Sequence, residues 1–399
     1  MVSRPLPPIV PLAVIVGISP FATDMYIPAL PALARDFGTS TSAVQVSLTA
    51  FLVAFAVGQI LVGPLSDSVG RRSILLGGTA LFAVASFACA VAPDNAVFVI
   101  ARVVEGLGGA AGAVAGRAVV TDAAPPADRP RIYAALAAIN AVGPVVAPLA
   151  GGALLLVGDW RIMFVALGVL GLVLFAIVLV RIPETLAPQD RSSGIGLGAN
   201  LRRMGALLAI PRFDWYLVSS CVATIGFFAY ISTSSFVFQS EFGFSETGYT
   251  VVFAVDASCM ILTTLAFRRL VRRFSEDALL TTGLVVGALG AVGVLVSALA
   301  GLGPIVVWVC LAVVTGAWGF VITGSTTRTQ AIGAALPGTA AALQGGISFG
   351  LGGLGTPLAG WFGGTAVAMG AVMATGIVIA AVVQVAASAR AGASGTRLG

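Results

Sequence analysis

Several charged side chains lie inside long apolar stretches of the sequence, where a charge is costly. Asp24 is in the first such stretch, Arg102 and Glu105 are three residues apart in a later one, and Asp256 lies near the middle of another. A charge at the centre of a bilayer costs from about 2.5 to more than 10 kcal/mol, so such a group needs a partner, a watery cavity or a function. Because the chain contains no His, a group that exchanges protons here must be a carboxylate.

The stretches that carry these charges have the length and composition of transmembrane helices. Of the 399 residues 58% are apolar and 9% are charged, whereas soluble domains have about 25% charged residues. Runs of about 20 residues rich in Leu, Val, Ala and Gly recur along the chain, which favours helices over the alternating strands of a barrel. We therefore predict an all-α membrane protein with twelve transmembrane helices, called spans 1 to 12, near residues 9–32, 43–64, 73–92, 97–119, 131–157, 161–181, 213–238, 247–267, 278–299, 303–326, 338–361 and 364–388.

A short internal repeat indicates that the twelve spans form two pseudo-symmetric six-helix bundles. Residues 147–151 (APLAG) in span 5 recur as residues 356–360 (TPLAG) in span 11. The alternative is chance similarity between helices rich in Gly and Ala. We predict an N-terminal bundle over 1–181, a polar cytoplasmic linker over 182–212, and a C-terminal bundle over 213–399 that ends in a short cytoplasmic tail.

The distribution of arginine predicts the orientation of the chain. Alternating the loops between two sides puts all but four of the 21 Arg residues on one side. The positive-inside rule then puts both termini in the cytoplasm, and we expect a multi-pass protein of a bacterial inner (plasma) membrane. These arginines lie in short loops, so no nucleic-acid surface is predicted, and the absence of Lys excludes a P-loop lysine in this chain. The four Cys residues have unrelated spacings within the spans, which predicts neither a disulfide nor a metal site.

The loop between spans 2 and 3, Gly-Pro-Leu-Ser-Asp-Ser-Val-Gly-Arg-Arg at 63–72, resembles the signature loop of the major facilitator superfamily. In this interpretation its glycines permit a tight turn, Asp67 caps span 3, and Arg71 bridges to Asp122 in span 4. The resemblance implies a conformational latch, although a solvated loop that serves only topology is the alternative. The predicted latch residues are Gly63, Asp67, Gly70, Arg71, Arg72, Arg117 and Asp122.

Two further resemblances narrow the family. Span 5 is similar to the antiporter signature of drug-exporting members, through Gly143, Pro144, Pro148, Gly151 and Gly152. Residues 23–31 (TDMYIPALP), 101–108 (ARVVEGLG) and 158–161 (GDWR) resemble the bicyclomycin and chloramphenicol resistance branch of the drug:H+ antiporters. The resemblance implies a monomeric, non-enzymatic exporter that uses protons as its coupling ion, needs no cofactor or metal, and contacts a small-molecule drug or metabolite and membrane lipid.

Proton coupling is assigned to Asp24, Arg102 and Glu105. Asp24 and Arg102 are predicted at similar depths and could pair, and Glu105 could compete for the guanidinium because it lies one turn away on the same helix. The related proteins usually have Gln at the position of Glu105. We take Asp24 as the proton-carrying carboxylate, with a purely structural polar pair as the alternative for each acid.

The predicted substrate pocket combines aromatic rings with a few polar groups, which suits an apolar, drug-sized ligand. An exporter or symporter of a sugar or another metabolite remains an alternative function, as does the membrane subunit of an ATP-driven pump. An intramembrane enzyme is disfavoured, since no serine and histidine dyad or metal-binding cluster occurs. The pocket residues are Asp24, Tyr26, Arg102, Asn140, Phe227, Tyr230, Phe253, Asp256, Trp318 and Gln344.

Overall fold

The computed structural model describes residues 9–125, 128–191 and 196–395, and within these ranges the chain is almost entirely helical and has no strand. In the first half, span 1 consists of Ile9–Val16, Ile18–Asp24 and Leu30–Asp36; the other helices are Thr41–Val69 (span 2), Arg71–Ala90 (span 3), Asn95–Ala123 (span 4), Arg129–Leu155 (span 5) and Arg161–Arg181 (span 6).

The second half repeats this pattern. Span 7 comprises Pro211–Phe236 and a π-helical turn at Val237–Glu241, and span 11 comprises Pro337–Ala342, a π-helical turn at Leu343–Ile347, and Ser348–Trp361. The remaining helices are Glu246–Leu270 (span 8), Glu276–Leu299 (span 9), Pro304–Ile332 (span 10) and Ala366–Gly395 (span 12).

The length and hydropathy of these helices fit a membrane-spanning protein. Among the described residues nine helices are long and apolar enough to cross a bilayer, and the bent span 1 makes a tenth. The other two predicted spans are the helix Arg129–Leu155 and span 11, which is interrupted by its π-helical turn. The all-α membrane fold predicted from the sequence is confirmed.

Caps and prolines explain where several helices begin. Asp94 accepts a hydrogen bond from the backbone N–H of Val97 at the start of span 4, and Ser245 accepts one from Gly248 at the start of span 8. Span 10 begins with Pro304, whose missing N–H would have no partner in the first turn. These local signals define the ends of helices that hydropathy alone locates only approximately.

Span 1 is broken where it carries its acid. A bend of 45° separates Ile9–Val16 from the part after Gly17. The α-helix then stops at Asp24, and a 3₁₀ turn at Ile27–Ala29 contains Pro28 near its start. Proline lacks the N–H needed for the next helical hydrogen bond, and its ring clashes with the preceding turn. The carboxylate of Asp24 therefore lies at the end of a helical segment within the span.

Contacts between Cα atoms divide the chain into two compact units. The first comprises Met1–Thr39 and Val46–Asn200, and the second comprises Ser40–Gln45 and Leu201–Gly399. In the first unit span 3 packs against spans 4 and 6, and span 1 packs against spans 4 and 5; in the second, span 7 packs against spans 11 and 12. The boundary between Asn200 and Leu201 falls within the region 182–212. In this region the structure has a helix over Leu197–Leu208.

The helix Leu197–Leu208 is amphipathic. Met204 and Leu207, three residues apart, are buried, whereas Arg202 and Arg203 on the other side are exposed. The predicted polar linker thus contains an ordered element with one apolar face. Hydropathy along the sequence does not predict this helix, because two adjacent arginines interrupt the 3.6-residue spacing of apolar residues in so short a segment.

Candidate functional site

Asp24 is buried and lacks a cationic partner. Asp24 is only 8% exposed. It takes part in none of the ion pairs formed by the described residues. Thr23 Oγ1 lies 2.8 Å from its Oδ1 but also 3.0 Å from the carbonyl oxygen of Ser19. Since a hydroxyl has one proton to donate, the carboxylate competes with the helix backbone for this bond.

The guanidinium that was expected near Asp24 is paired with Glu105 instead. Arg102 Nη1 lies 2.5 Å from Glu105 Oε2, and neither side chain has any exposed surface. Ser86 donates a hydrogen bond of 2.7 Å to the other carboxylate oxygen of Glu105. The predicted Asp24–Arg102 pair is therefore wrong in this structure, because a partner at i+3 on the same helix meets the charge without reaching across a helix interface.

Aromatic rings enclose the rest of the Arg102 guanidinium. Its Cζ lies 4.7 Å from the ring centroid of Tyr26 and 4.5 Å from that of Phe51, with Phe164 at 5.7 Å. Attraction between a cation and the faces of these rings offsets part of the cost of burial. The Nε and Nη2 atoms are buried, and none of the described residues forms a hydrogen bond with them. Tyr26 connects this cluster to the broken part of span 1, since it lies two residues after Asp24.

Two glycines of the span 5 motif bring that helix against the acid-bearing part of span 1. A Cβ atom at Gly151 would overlap the backbone oxygen of Met25, the residue after Asp24, and one at Gly143 would lie 2.9 Å from Pro20 Cβ. Backbone contact of this kind requires a residue without a side chain. Pro144 and Pro148 lie inside the same helix, and Gly152 is buried. The motif therefore contributes directly to the packing around Asp24.

The signature loop forms a network centred on Arg71. Its Nη1 lies 2.5 Å from Asp67 Oδ1, and its Nε lies 3.0 Å from Asp122 Oδ2 in span 4. Thr185, just beyond span 6, donates a hydrogen bond of 3.3 Å to the same oxygen of Asp122. The Arg71–Asp122 bridge expected from the sequence is present, and it connects the ends of spans 2, 3, 4 and 6 within the first unit.

Glu184, which the sequence analysis missed, caps span 3. Its Oε1 accepts a hydrogen bond of 3.0 Å from the backbone N–H of Arg71. Gly70, the residue before Arg71, has φ +113°, and a Cβ there would collide with the Glu184 carboxylate. The signal that could have identified Glu184 is an acid directly after a proline at the end of an apolar run, where a carboxylate can accept from the exposed N–H groups of a helix start.

Four details of the predicted latch differ from expectation. Asp67 lies inside the helix Thr41–Val69, so it pairs with Arg71 rather than capping span 3. Gly63 lies in the same helix, and no atom lies within 4 Å of the position that a Cβ would occupy there.

Two predicted latch arginines have other partners. Arg117 donates to Gln59 at 3.3 Å and to the carbonyl of Ala113 at 3.0 Å, outside the Arg71 network. Arg72 donates to the carbonyl of Leu179 at 2.7 Å.

In the second unit Asp256 is held by neutral donors. The hydroxyl of Tyr230 donates to Oδ2 at 2.9 Å, and the indole N–H of Trp308 donates to Oδ1 at 3.1 Å. Asp256 has no exposed surface and takes part in no ion pair within the described residues. Trp308 was missed because, four residues after the start of span 10, it resembles an interfacial anchor.

The predicted aromatic residues of the second unit cluster around this acid. Phe227 stacks on Trp318 with ring centroids 4.1 Å apart, and Tyr230 stacks on Phe253 at 6.1 Å. Gln344 lies in the π-helical turn of span 11 and donates a hydrogen bond of 2.8 Å to Ser220. The side chain of Asn140 lies outside the described part of the structure. The structure thus brings four of the predicted aromatic pocket residues together beside Asp256, whereas Gln344 is hydrogen-bonded to Ser220 instead.

Comparisons with known proteins agree with this architecture. Residues 12–357 match the family model described as Major Facilitator Superfamily. The chain is 34% identical, over 91% of its length and 90% of the relative, to a Bacillus subtilis (strain 168) protein described as an uncharacterized MFS-type transporter, YdgK. It is 31% identical to the chloramphenicol resistance protein of Pseudomonas aeruginosa, over 70% of this chain and 67% of that protein.

A solved structure shows the same fold at low sequence identity. The crystal structure of a D-xylose-proton symporter matches this chain with a TM-score of 0.71 and 16% sequence identity. The match covers 94% of this chain and 96% of that chain. At this sequence identity the similarity shows only that the two proteins share a fold. Together with the family match over residues 12–357, it shows that this chain is a multi-pass membrane transporter of the Major Facilitator Superfamily.

Proposed function

We propose that this transporter is a proton-coupled antiporter that exports small, largely apolar drugs, of the phenicol or bicyclomycin type, from a bacterial cell by alternating access. The similarity to a chloramphenicol resistance protein over 70% of the chain supports the substrate class. The aromatic clusters in both units suit ligands of low polarity. In this proposal the protein acts as a monomer in the plasma membrane, with protons as the coupling ion.

The observation that carries the proposal is the separation of Asp24 from Arg102. Because Glu105 neutralises the guanidinium within hydrogen-bond distance, Asp24 is a buried carboxylate with one shared hydroxyl donor. A negative charge in such a place is costly, and either a bound proton or access to water removes the cost. Asp24 is therefore suited to alternate between a protonated, buried form and an ionised, hydrated form.

A cycle follows from this alternation. Asp24 takes up a proton when the transporter is open to the outside. This protonation releases the drug and permits the empty transporter to return to the state that is open to the cytoplasm. Loss of the proton to the cytoplasm restores drug binding. One proton that moves down a potential of about 100 mV supplies about 2.3 kcal/mol, which supports roughly fifty-fold accumulation of a neutral drug.

Substitution of Asp24 tests the proposal. Purified protein in proteoliposomes is given a pH gradient, and the uptake of radiolabelled chloramphenicol is compared for the wild type and Asp24→Asn. We expect the wild type to concentrate the drug, and the variant to bind it but only to equilibrate it. Asp128→Asn is a matched control, because Asp128 is exposed at the start of span 5. Gradient-driven accumulation by Asp24→Asn would contradict the role of Asp24.

A further inference from the structure

A further polar cluster lies in the second unit and is formed by residues of spans 7 and 11. Gln344 in the π-helical turn Leu343–Ile347 donates to Ser220 Oγ at 2.8 Å, and Ser220 Oγ lies 3.5 Å from Ser348 Oγ. Cys221 Sγ lies 3.7 Å from the same Ser348 hydroxyl. The cluster contains only uncharged groups, and it joins span 7 to span 11 at the point where span 11 departs from α-helical geometry.

One polar atom of this cluster has no partner among the residues that the structure describes. Gln344 Oε1 is buried and accepts no hydrogen bond from them, and the residue is only 7% exposed. A buried acceptor without a donor loses its solvation without compensation. Exchanging the nitrogen and oxygen of the amide leaves the nitrogen unpaired instead, so the requirement for one more hydrogen bond does not depend on how the amide is oriented.

The geometry of span 11 keeps Gln344 in this position. A π-helical turn inserts one additional residue into the helix, and such turns are frequent at functional sites. The insertion spans Leu343–Ile347, so the side chain of Gln344 is directed by the distorted turn and not by a regular α-helix. Ser220 and Thr224, one turn apart on span 7, retain 7% and 6% exposure, and the next turn presents Phe227, which stacks on Trp318.

From these contacts we propose that Gln344, Ser220 and Ser348 form a subsite for a hydroxyl group of a neutral substrate, about two helical turns along span 7 from Phe227, whose ring stacks on Trp318. A hydroxyl fits because it donates one hydrogen bond and accepts others, so it satisfies the free amide atom in either orientation. A cation is disfavoured, since no carboxylate belongs to the cluster. The inference rests on the proposed export function, to which it adds a substrate class: aromatic molecules that carry a terminal, primary alcohol.

Two phenicols that differ by one group provide the test. Thiamphenicol carries a terminal hydroxyl, and florfenicol carries fluorine in its place. Export of each is measured in proteoliposomes for the wild type, Gln344→Met and Ser348→Ala. We expect the wild type to prefer thiamphenicol by roughly 2- to 10-fold in kcat/KM, the effect of one hydrogen bond, and the preference to fall toward one in both variants while florfenicol export changes little.

Controls separate recognition from folding and from the proposed function. Ser297→Ala removes a buried hydroxyl in span 9 that bonds only within its own helix, so it should keep the wild-type preference. Equal loss of both phenicols in Gln344→Met and Ser348→Ala, or an unchanged preference, would overturn the subsite while drug export stands. If the wild type exports neither phenicol, the proposed export of phenicols fails, and the subsite fails with it.

Discussion

At the scale of single residues, the chemistry depends on which carboxylate holds the buried arginine. Glu105 takes one Nη of Arg102 and leaves Asp24 with a shared hydroxyl. Two ionised groups buried together offset much of each other's burial cost, so removing one leaves the other charge without its partner. Asp24 and Glu105 thus have different partners, although both are buried acids in apolar helices of the same unit.

We therefore expect Glu105→Gln to destabilise the protein by about 3–5 kcal/mol, because the Arg102 charge loses its partner in the absence of water. The free energy of unfolding in detergent, followed by tryptophan fluorescence against denaturant, measures the effect. The double variant Arg102→Met with Glu105→Leu should recover most of the loss. Stability equal to that of the wild type in Glu105→Gln would show that the pair is not ionised.

An exposed ion pair supplies the matched control. Arg161 Nη1 lies 2.7 Å from Asp36, with side chains that are 36% and 43% exposed. Exposed pairs contribute about 0–1 kcal/mol, so Asp36→Asn should change the free energy of unfolding by no more than that.

At the scale of the helices, glycines decide how closely the functional elements approach. Gly151 brings span 5 against the backbone at Met25, and Gly70 permits the turn that places Arg71 beside Glu184. Both positions belong to motifs recognised in the sequence. The structure shows that one acts by backbone contact and the other by a positive φ, which are separate physical requirements.

Gly151→Ala should lower the rate of drug export even in the protein that folds. The added Cβ would overlap the Met25 carbonyl oxygen, so span 1 must shift near Asp24, and a displacement of about 1 Å near a reacting group has large effects on rate. Initial rates of drug export by purified protein measure this. Gly77→Ala is the control, since no atom lies within 4 Å of a Cβ there. Equal activity of the two variants would contradict the role of the close contact.

Gly70→Ala should weaken the Arg71 network. A non-glycine residue at φ +113° is strained, and the Cβ would displace the Glu184 carboxylate from the Arg71 N–H. We expect a loss of roughly 1–3 kcal/mol of stability and slower transport. Gly63→Ala, in a helix and with open space around it, should instead be neutral or slightly stabilising. Similar losses in both variants would argue against the positive-φ requirement.

At the scale of the whole molecule, the arginines predict how the chain is oriented. The loop between spans 8 and 9 carries Arg272 and Arg273, both exposed, whereas the loop after span 9 contains Gly301 and Gly303 and no charge. The positive-inside rule assigns the first loop to the cytoplasm and the second to the outside.

Reporter fusions test this orientation. Alkaline phosphatase fused after Gly301 should be active, because it folds only outside the cytoplasm, and green fluorescent protein fused after Arg273 should be fluorescent. The reciprocal fusions should be silent. The reverse pattern would contradict the predicted cytoplasmic location of both termini.

Hydropathy and sequence motifs were enough to predict the membrane-spanning helices, the Arg71–Asp122 bridge and the family. Hydropathy along the chain is a local property, because each span must be apolar over about 20 residues whatever surrounds it. The bridge was predictable because the loop at 63–72 resembles the signature loop of the family and Asp122 lies at the predicted cytoplasmic end of span 4. Asp24, Arg102, Glu105 and Asp256 were identified from the cost of charge in hydrocarbon alone.

The partners of those groups became visible only in the folded protein. Whether Arg102 meets Asp24 or Glu105 depends on side-chain reach across a helix interface, and the roles of Glu184 and Trp308 depend on contacts between segments far apart in the chain. The unpaired amide of Gln344 likewise follows from a π-helical turn that hydropathy does not register. Pairing in a packed interior is set by the distances between specific atoms, and these arise only when the helices have packed together.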